Sequence, residues 1–491
     1  MRAYIWAVLE QCYKLGIGWK VRKMNSPFVK TGIEGLDEII EGFPRGGLIV
    51  VSGAPGTGKT VFAASFIYNG VVRYGEPGVY GSMIEDERRF YEYMLRFGMD
   101  FGKLRDRGLF KYVALPTLLE PGIPSIANTL LEAIEEIDAR RLVIDSYTAI
   151  SQMFKSEGEA RIFLHTVLSK IVRELNCTTI IIKEMKTGDV GQGYSHEDFI
   201  AEGVIHLRTH RLEDKLAREL TIVKLRGSEL RNPDACFTLY RGFKVLPPVR
   251  IDGNIAYRRI EYPPDPPGGY TTGIPDLDRE IGGYPDGSTI LFEIDAKLTY
   301  REYSIITAPV VASYILRGRP CIIVPSGGVT VKDLVELGKL YGVDEKDFQR
   351  YMRIVVESDV WEERLSNVIQ MKPDEEVGRR LSEVVESLIE EFGKPPIRVY
   401  GVDRIVRLYG EKAIDLLHMA QDRIRRRGGL ALWLLKPVKP WLSEMLAPIA
   451  GIHLKIMRRH GCILLYGVKP RTPLYAVKLP DSPIPKIIPI V

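Results

Sequence analysis

Residues 47–60 read GLIVVSGAPGTGKT, an apolar run that leads into a glycine-rich loop closed by lysine and threonine. Residues 48–52 predict a buried strand, and the apolar spacing of residues 61–72 predicts a helix directly after the loop. Strand, loop and helix in this order, with GxxxxGK[ST] matched at every fixed position, are typical of a phosphate-binding loop. The stretch therefore predicts a nucleotide-binding α/β domain rather than a glycine turn that carries GKT by chance.

The loop predicts a role for each of its chemical groups. Its backbone N–H groups are expected to converge on phosphate oxygens at the positive end of the following helix. Lys59 is expected to reach the β- and γ-phosphates of ATP, and Thr60 to ligate Mg²⁺. The predicted nucleotide-binding residues are Gly53, Ala54, Pro55, Gly56, Thr57, Gly58, Lys59 and Thr60.

Acidic residues follow two further predicted strands. Residues 77–84 are followed by Glu85-Asp86-Glu87, and the apolar residues 142–144 are followed by Asp145. Because the carboxyl ends of parallel strands line the ligand crevice, we expect Glu85 to polarise the attacking water and Asp145 to hold the magnesium, directly or through water. The alternative for the first group is that Asp86 or Glu87 caps the next helix.

Two cations end a late strand. Residues 202–207 and 218–225 predict paired strands, and Lys224 and Arg226 point the same way because they are two positions apart. From these residues alone, a solvated strand edge is the favoured interpretation of the two charges.

An internal repeat predicts two tandem domains of one fold. TGIEGLDEIIEGFPRGG from Thr31 recurs as TGIPDLDREIGGYPDGS from Thr272, at a constant shift of 241 positions. At the same shift, Tyr300 and Arg301 replace the lysine and threonine of the loop. The second domain is therefore predicted to keep the fold without hydrolysing ATP, and the alternative is a different nucleotide mode anchored by Lys297 or Arg301.

The predicted domains are separated by a proline-rich stretch. They are an N-terminal extension at 1–23, upstream of a second candidate start at Met24; an ATPase domain at 24–250; a linker at 251–269; a degenerate domain at 270–479; and an extended tail at 480–491. Pro263 to Gly269, PPDPPGG, forms the stiff part of the linker.

Composition limits the class of protein. The 491 residues are 45% hydrophobic and 27% charged, with a net charge of +5, which describes a globular protein without a basic half that would favour nucleic acid. Five dispersed cysteines show no metal-ligand spacing, and no signal peptide or membrane span is predicted, so we expect a cytoplasmic protein. Seven asparagines and six glutamines are few for this length and predict a thermophilic source.

Six segments together resemble one family. TGIEGLDEIIEGFPRG, SGAPGTGKT, the pair Glu85-Asp86, LVIDS, GYSHEDFIAEGVIHL and VKLRG resemble, in this order, the KaiC/RadA-like ATPases of the RecA superfamily, particularly archaeal KaiC-type proteins. The resemblance implies two tandem RecA-like P-loop domains, each a mostly parallel twisted sheet flanked by helices. It also implies a Mg²⁺-dependent ATPase that forms a homo-oligomer, with a hexameric ring expected and ATP at the subunit interfaces.

The resemblance changes the interpretation of several residues. It implies that Lys224 and Arg226 reach the γ-phosphate held by the neighbouring subunit, and that Glu85 and Asp86 are the catalytic acidic pair, whose second member in the family is usually glutamate. Autokinase activity is not expected because Tyr300 and Arg301 stand in the second loop. The expected function is a nucleotide-controlled regulatory or assembly module with a protein client; the alternatives are a DNA-binding recombination accessory ATPase and an ATP-sensing scaffold with negligible turnover.

Overall fold

The computed structural model describes residues 26–115, 122–154, 158, 164, 174–185, 196–249, 260–357, 366–371, 376–436, 441–480 and 482–491. The chain divides into two compact units, Met1–His206 with Ile222–Arg231, and Leu207–Thr221 with Asn232–Val491. The predicted extension 1–23 and the first part of the predicted linker, residues 251–259, lie outside the described residues. The domain boundaries given above remain predictions.

The elements that precede the linker centre on one large sheet. Its strands and those of a small ribbon are β1 (Phe28–Val29), β2 (Phe43–Pro44), β3 (Leu48–Gly53), β4 (Gly78–Ser82), β5 (Phe110–Ala114), β6 (Arg141–Asp145), β7 (Thr178–Glu184), β8 (Gly203–Leu212), β9 (Lys215–Leu225), β10 (Asp234–Thr238) and β11 (Lys244–Leu246). The helices described here are α1 (Lys59–Tyr74), α2 (Glu87–Arg96), α3 (Phe101–Asp106), α4 (Gly122–Ile137), α5 (Tyr147–Ser151) and α6 (His196–Ile200).

The large sheet has nine strands in the order β11-β10-β9-β8-β3-β7-β6-β4-β5. The strand pairs β3–β7, β7–β6, β6–β4 and β4–β5 are parallel, whereas β10 pairs antiparallel with both of its neighbours. All six residues of β3 are buried, which explains the unbroken apolar run ahead of the phosphate loop. The strands β8 and β9 are longer than the sequence predicts, because their outer halves carry polar residues that hide the alternation.

The second unit repeats this plan. Its further strands are β12 (Gly269–Tyr270), β13 (Tyr284–Pro285), β14 (Ser288–Ile294), β15 (Cys321–Val324), β16 (Met352–Glu357), β17 (Val368–Met371), β18 (Ile397–Gly401), β19 (Leu430–Leu435), β20 (Ile452–Arg459), β21 (Cys462–Lys469), β22 (Tyr475–Lys478) and β23 (Lys486–Pro489). Its described helices are α7 (Pro275–Ile281), α8 (Tyr300–Leu316), α9 (Val331–Leu340), α10 (Glu345–Tyr351), α11 (Val377–Phe392), α12 (Val402–Tyr409), α13 (Lys412–Arg427) and α14 (Trp441–Leu446).

The order of the second sheet confirms the predicted fold class. It runs β17-β16-β15-β18-β19-β14-β20-β21-β22-β23, which matches the first sheet read backwards, with β17 added at one edge. The first strand of each large sheet in chain order is β3 or β14, and it lies in the middle of its sheet, as in a doubly wound α/β fold. The predicted C-terminal tail is extended and ends in β23, which pairs antiparallel with β22.

The repeated motif has a structural reason in both units. The Asp37 carboxylate accepts hydrogen bonds from the backbone N–H of Thr31 (2.9 Å) and of Gly32 (2.9 Å). At the shift of 241, the Asp278 carboxylate accepts from the N–H of Thr272 at 2.7 Å. The shift also carries β1 onto β12 and the first residue of α1 onto that of α8. The TG and LD pairs of the motif thus close the same turn before each central strand.

Candidate functional site

The phosphate loop lies between the central strand β3 and helix α1. The helix begins at Lys59, and the loop brings the chain from the end of β3 to this point through Gly56 and Gly58, whose φ values are 77° and 98°. These left-handed conformations favour glycine, because a Cβ atom would clash with the backbone there. The two glycines of the motif therefore allow the path by which the chain passes from β3 into α1.

The lysine of the loop is folded against the loop itself. Its Nζ donates hydrogen bonds to the carbonyl oxygens of Gly53 (2.9 Å) and Ala54 (3.0 Å), and the residue is only 8% exposed. Burial lowers the pKa of Lys59, while the nearby carboxylates of Glu184 and Asp145 raise it. The Lys59 amine is therefore held against the first residues of the loop, near the carboxylates of Glu184 and Asp145.

Asp145 is the centre of a hydrogen-bonded group at the end of β6. Its Oδ2 accepts from the hydroxyl of Thr60 (3.0 Å) and from the phenol of Tyr80 (2.7 Å). Burial raises the pKa of Asp145, while these two hydrogen bonds and the charge of Lys59 lower it. The structure thus brings together the two residues predicted to hold magnesium.

The donor set at this point fits a magnesium ion. Mg²⁺ prefers oxygen ligands and usually keeps several waters, so one or two protein oxygens and the phosphates of a substrate suffice. Thr60 and Asp145 supply a hydroxyl and a carboxylate that already touch. Among the described residues there is no group of three or more His, Cys, Asp or Glu side chains that could hold a metal ion by themselves.

The two acidic residues after β4 differ in their surroundings. Burial raises the pKa of Glu85, with further contributions from the charges of Asp145 and Asp86. Asp86 is the N-cap of α2: its carboxylate accepts from the backbone N–H of Arg89 at 3.0 Å, and its side chain is 60% exposed. The predicted capping role therefore holds for Asp86, and Glu85 is the member of the pair that interacts with the Asp145 group.

Lys224 and Arg226 lie together at the end of β9. Lys224 Nζ donates to the carbonyls of Asp198 (2.9 Å) and Phe199 (3.0 Å), and Arg226 donates to the carbonyl of Phe199 at 3.4 Å. Burial and the charge of Arg226 lower the pKa of Lys224. In the described part of the chain, no hydrogen bond or ion pair joins either cation to residues 53–60. Lys224 is half-buried, so a freely solvated strand edge is a poor description of this residue.

The sequence did not indicate two of the polar groups behind the loop. Tyr80 lies in the strand predicted over residues 77–84 and is 1% exposed. A tyrosine at a buried strand position is the sequence signal for it, because a buried phenol needs a hydrogen-bond partner. Ser52, the last residue but one of β3, hydrogen-bonds to His206 Nδ1 and donates to the carbonyl of Ile205 at 3.2 Å. The pair joins β3 to β8 next to the phosphate loop, which accounts for a histidine in the apolar first half of β8.

The corresponding loop of the second unit is closed by its own side chains. Thr299 is the N-cap of α8, and the Glu302 carboxylate accepts from the N–H (2.8 Å) and the hydroxyl (2.9 Å) of Thr299. Tyr300 is partly buried, and Arg301 pairs with Glu336 at 3.0 Å. The Glu302 carboxylate thus lies at the N-terminus of α8, after a loop in which Tyr300 replaces the lysine of the motif.

Comparisons with known proteins match the first half of the chain. A family model described as "ATPase: KaiC" matches residues 29–248. The UPF0273 protein of Methanocaldococcus jannaschii is 33% identical over 218 residues, which is 41% of this chain and 88% of that protein. A circadian clock oscillator protein KaiC from Parathermosynechococcus lividus is 34% identical over 273 residues, which is 52% of this chain and 48% of that protein. The match thus spans about half the length of the clock protein.

One solved structure extends these comparisons. It is the crystal structure of a KaiC-like protein from the hyperthermophilic archaeon Pyrococcus horikoshii, with 36% sequence identity and a TM-score of 0.41, and the match covers 45% of this chain and 99% of that one. As for membranes, none of the helices described above combines the length and the apolar character that a bilayer crossing needs.

Proposed function

Because the chain belongs to the KaiC family of RecA-like ATPases, we propose that it binds ATP with Mg²⁺ at residues 53–60 and hydrolyses the bond between the β- and γ-phosphates there. The observation that carries the proposal is the contact of 3.0 Å between Thr60 and Asp145 beside the buried amine of Lys59. Charge on the γ-phosphoryl oxygens grows in the transition state, and a fixed cation with metal-binding oxygens at this place stabilises it.

Each side chain has one task in the proposed reaction. Lys59 leaves the loop carbonyls to pair with the β- and γ-phosphates, while Thr60 and Asp145 hold the magnesium. The bound ion supplies neutralisation of phosphate charge. Glu85 orients the attacking water and accepts its proton, and its raised pKa suits a base that operates near neutral pH. Asp86 supports Glu85 by fixing the start of α2.

We propose further that the active site is completed by a second copy of the chain. Lys224 and Arg226 bond to the backbone around Phe199, and the family resemblance assigns cations at these positions to the neighbour's γ-phosphate. In a ring of subunits, hydrolysis would then depend on assembly, which is the basis of a nucleotide-controlled regulatory or assembly module. The second unit would keep the fold without hydrolysing ATP, since Glu302 caps the helix where phosphate would bind.

The test of the ATPase compares two lysine variants by phosphate release. Lys59→Ala is expected to abolish Mg²⁺-dependent release. Lys297→Ala removes the lysine of the second loop, where Tyr300 stands at the position equivalent to Lys59, and is expected to leave the release unchanged. Equal rates for the wild type and Lys59→Ala would contradict the proposed activity.

The shared site has its own test. Lys59→Ala and Arg226→Ala subunits are each expected to be inactive, and mixing them is expected to restore part of the activity, because one interface then combines an intact loop with an intact cation. If size-exclusion chromatography shows mixed oligomers and no activity returns, the two cations do not act between subunits.

A further inference from the structure

The second unit contains an apolar cavity whose lining does not include its degenerate loop, residues 294–301. The cavity lies between the sheet and helices α11, α12 and α13, and its volume is about 110 Å³. Its walls include Val355, Met371, Val385, Leu416 and Leu417. A dry apolar cavity of about 150 Å³ accepts a benzene molecule, so this cavity, with about three quarters of that volume, has room for a small apolar group.

A buried arginine without a partner lines this cavity. Arg398 on β18 is 3% exposed, and its Nε makes no hydrogen bond. No hydrogen bond or ion pair joins its guanidinium to any residue in the ranges that the structure describes. Burial lowers the pKa of Arg398, Tyr400 and Tyr314 raise it, and the charge of the neighbouring Arg423 lowers it. An unpaired buried charge of this kind is strongly destabilising, and a bound anion would offset that effect.

The first unit shows how the fold satisfies a buried arginine when the role is structural. Arg141 on β6 is fully buried, and its guanidinium donates to the Glu76 carboxylate (2.6 Å) and to the carbonyls of Phe66 (2.7 Å) and Lys30 (2.8 Å). Among the described residues, Arg398 has no such set of acceptors. The difference indicates that its guanidinium is available to an anionic group that enters the cavity.

The charged groups around the cavity leave an excess of positive charge. Four arginines and two glutamates line it: Arg398, Arg404, Arg423, Arg427, Glu357 and Glu386. Both glutamates are already paired, Glu357 with Arg407 and Glu386 with Arg427. Arg423 donates to the carbonyl of Gly378 at 3.1 Å and to the hydroxyl of Ser382, whereas the Nε of Arg404 is buried without a partner.

We propose that this cavity binds a small amphiphilic carboxylate. The carboxylate pairs with the guanidinium of Arg398, whose planar fork matches two oxygens, and the apolar body fills the space between the sheet and the three helices. A neutral ligand of the same shape would gain the apolar contacts alone. The site does not depend on the ATPase proposed above, because it belongs to the second unit and needs no nucleotide.

The experiment is equilibrium binding to the full-length chain without ATP or Mg²⁺, by isothermal titration calorimetry and ligand-observed NMR. The probes are benzoate and hexanoate, with benzyl alcohol as the neutral comparison. The wild type is expected to bind a carboxylate with a dissociation constant of roughly 1 mM or lower, typical of a ligand of this size, and benzyl alcohol about tenfold more weakly. Arg398→Leu is expected to lose the preference for the carboxylate and to keep the weak binding of benzyl alcohol.

Two further variants make the result decisive. Arg425→Met removes an exposed arginine in the last turn of α13 that does not line the cavity. This variant is expected to bind all probes as the wild type does. Ala420→Phe fills the cavity from α13 and is expected to lose all probes, which tests the site even if Arg398→Leu fails to fold. The proposal is overturned if neither carboxylate binds, if benzyl alcohol binds equally well, or if Ala420→Phe leaves carboxylate binding unchanged.

Discussion

Removing the phenol hydroxyl of Tyr80 tests how the Asp145 carboxylate is kept ready for a metal ion. The hydroxyl donates to Asp145 Oδ2 at 2.7 Å from a residue that is 1% exposed. Tyr80→Phe removes this bond and keeps the ring, whose contacts with Phe90 (4.5 Å between centroids) and Tyr112 (6.0 Å) should persist. The variant therefore isolates one hydrogen bond.

The expected magnitude follows from the charge on the acceptor. A hydrogen bond to a charged group contributes about 1.5–3 kcal/mol, a factor of roughly 10–150 in an equilibrium constant. Loss of an outer-shell hydrogen bond to a metal ligand typically reduces metal affinity or activity about 10–100-fold, in agreement with that range. Without the phenol, burial raises the pKa of Asp145 with only Thr60 and Lys59 to oppose it, so protons compete more strongly with magnesium.

The assay is phosphate release as a function of Mg²⁺ concentration at saturating ATP. We expect Tyr80→Phe to need at least about tenfold more Mg²⁺ for half-maximal rate, and the difference to grow as pH falls. The matched control is Tyr91→Phe, which removes a hydroxyl that donates to the Glu87 carboxylate at 2.6 Å on the surface of α2. If Tyr80→Phe has the magnesium dependence of the wild type while its melting temperature is unchanged, the phenol does not prepare Asp145 for the ion.

Three more predictions concern stability and pH. Arg141→Met should destabilise the first unit by about 3–5 kcal/mol, because buried carbonyls lose their donor and Glu76 keeps only its weaker pair with Arg45. Arg140→Met, which removes an exposed pair with Asp138, should destabilise it by less than about 1 kcal/mol. Faster hydrogen exchange of β6 in Arg141→Met alone checks this prediction, and equal exchange in both variants would refute it. Burial holds the pKa of Glu85 above its usual value, so the rate of hydrolysis should fall as pH drops through a value above the ordinary glutamate range; a pH–rate profile with no limb there excludes Glu85 as the base. Burial raises the pKa of Glu293, but hydrogen bonds from His453 and Ser443 and the charge of Lys455 outweigh burial and lower it to about 2. The ionised Glu293 therefore contributes about 3 kcal/mol to the free energy of unfolding. This contribution is present above the unfolded pKa of 4.5 and is lost as pH falls towards 2. Urea unfolding followed by tryptophan fluorescence should therefore show a smaller loss of stability between pH 5 and pH 3 in Glu293→Gln than in the wild type, and parallel losses would contradict the assignment.

Much of the fold could be predicted from one repeated motif. The shift of 241 positions matches β1 to β12, β2 to β13 and the start of α1 to that of α8, residue by residue. The agreement has a physical reason: the motif fixes a turn through Asp37 and Asp278, a local arrangement that short-range sequence determines. The geometry of the phosphate loop could also be predicted from local sequence, because it depends on two left-handed glycines and on a helix that begins at Lys59.

The less predictable part of the site depends on contacts across the sheet. The bond from Tyr80 to Asp145 exists because β4 and β6 are parallel neighbours with Ser82 opposite Asp145, a register that neither strand specifies alone. The same holds for the buried arginine Arg398, whose surroundings come from β18 and three helices. The interpretation of Lys224 and Arg226 depends on a second copy of the chain, which no contact within one copy can supply.

The most direct test of the central claim counts the nucleotides bound by each chain. In the proposed function ATP binds at one loop, residues 53–60, whereas hydrogen bonds between Thr299 and Glu302 cap the corresponding helix end of the second unit. Equilibrium binding of ATP with Mg²⁺, measured with Glu85→Gln to suppress hydrolysis, is predicted to give one nucleotide per chain, and none when Lys59→Ala is added. Two nucleotides per chain, or one that persists with Lys59→Ala, would contradict the account.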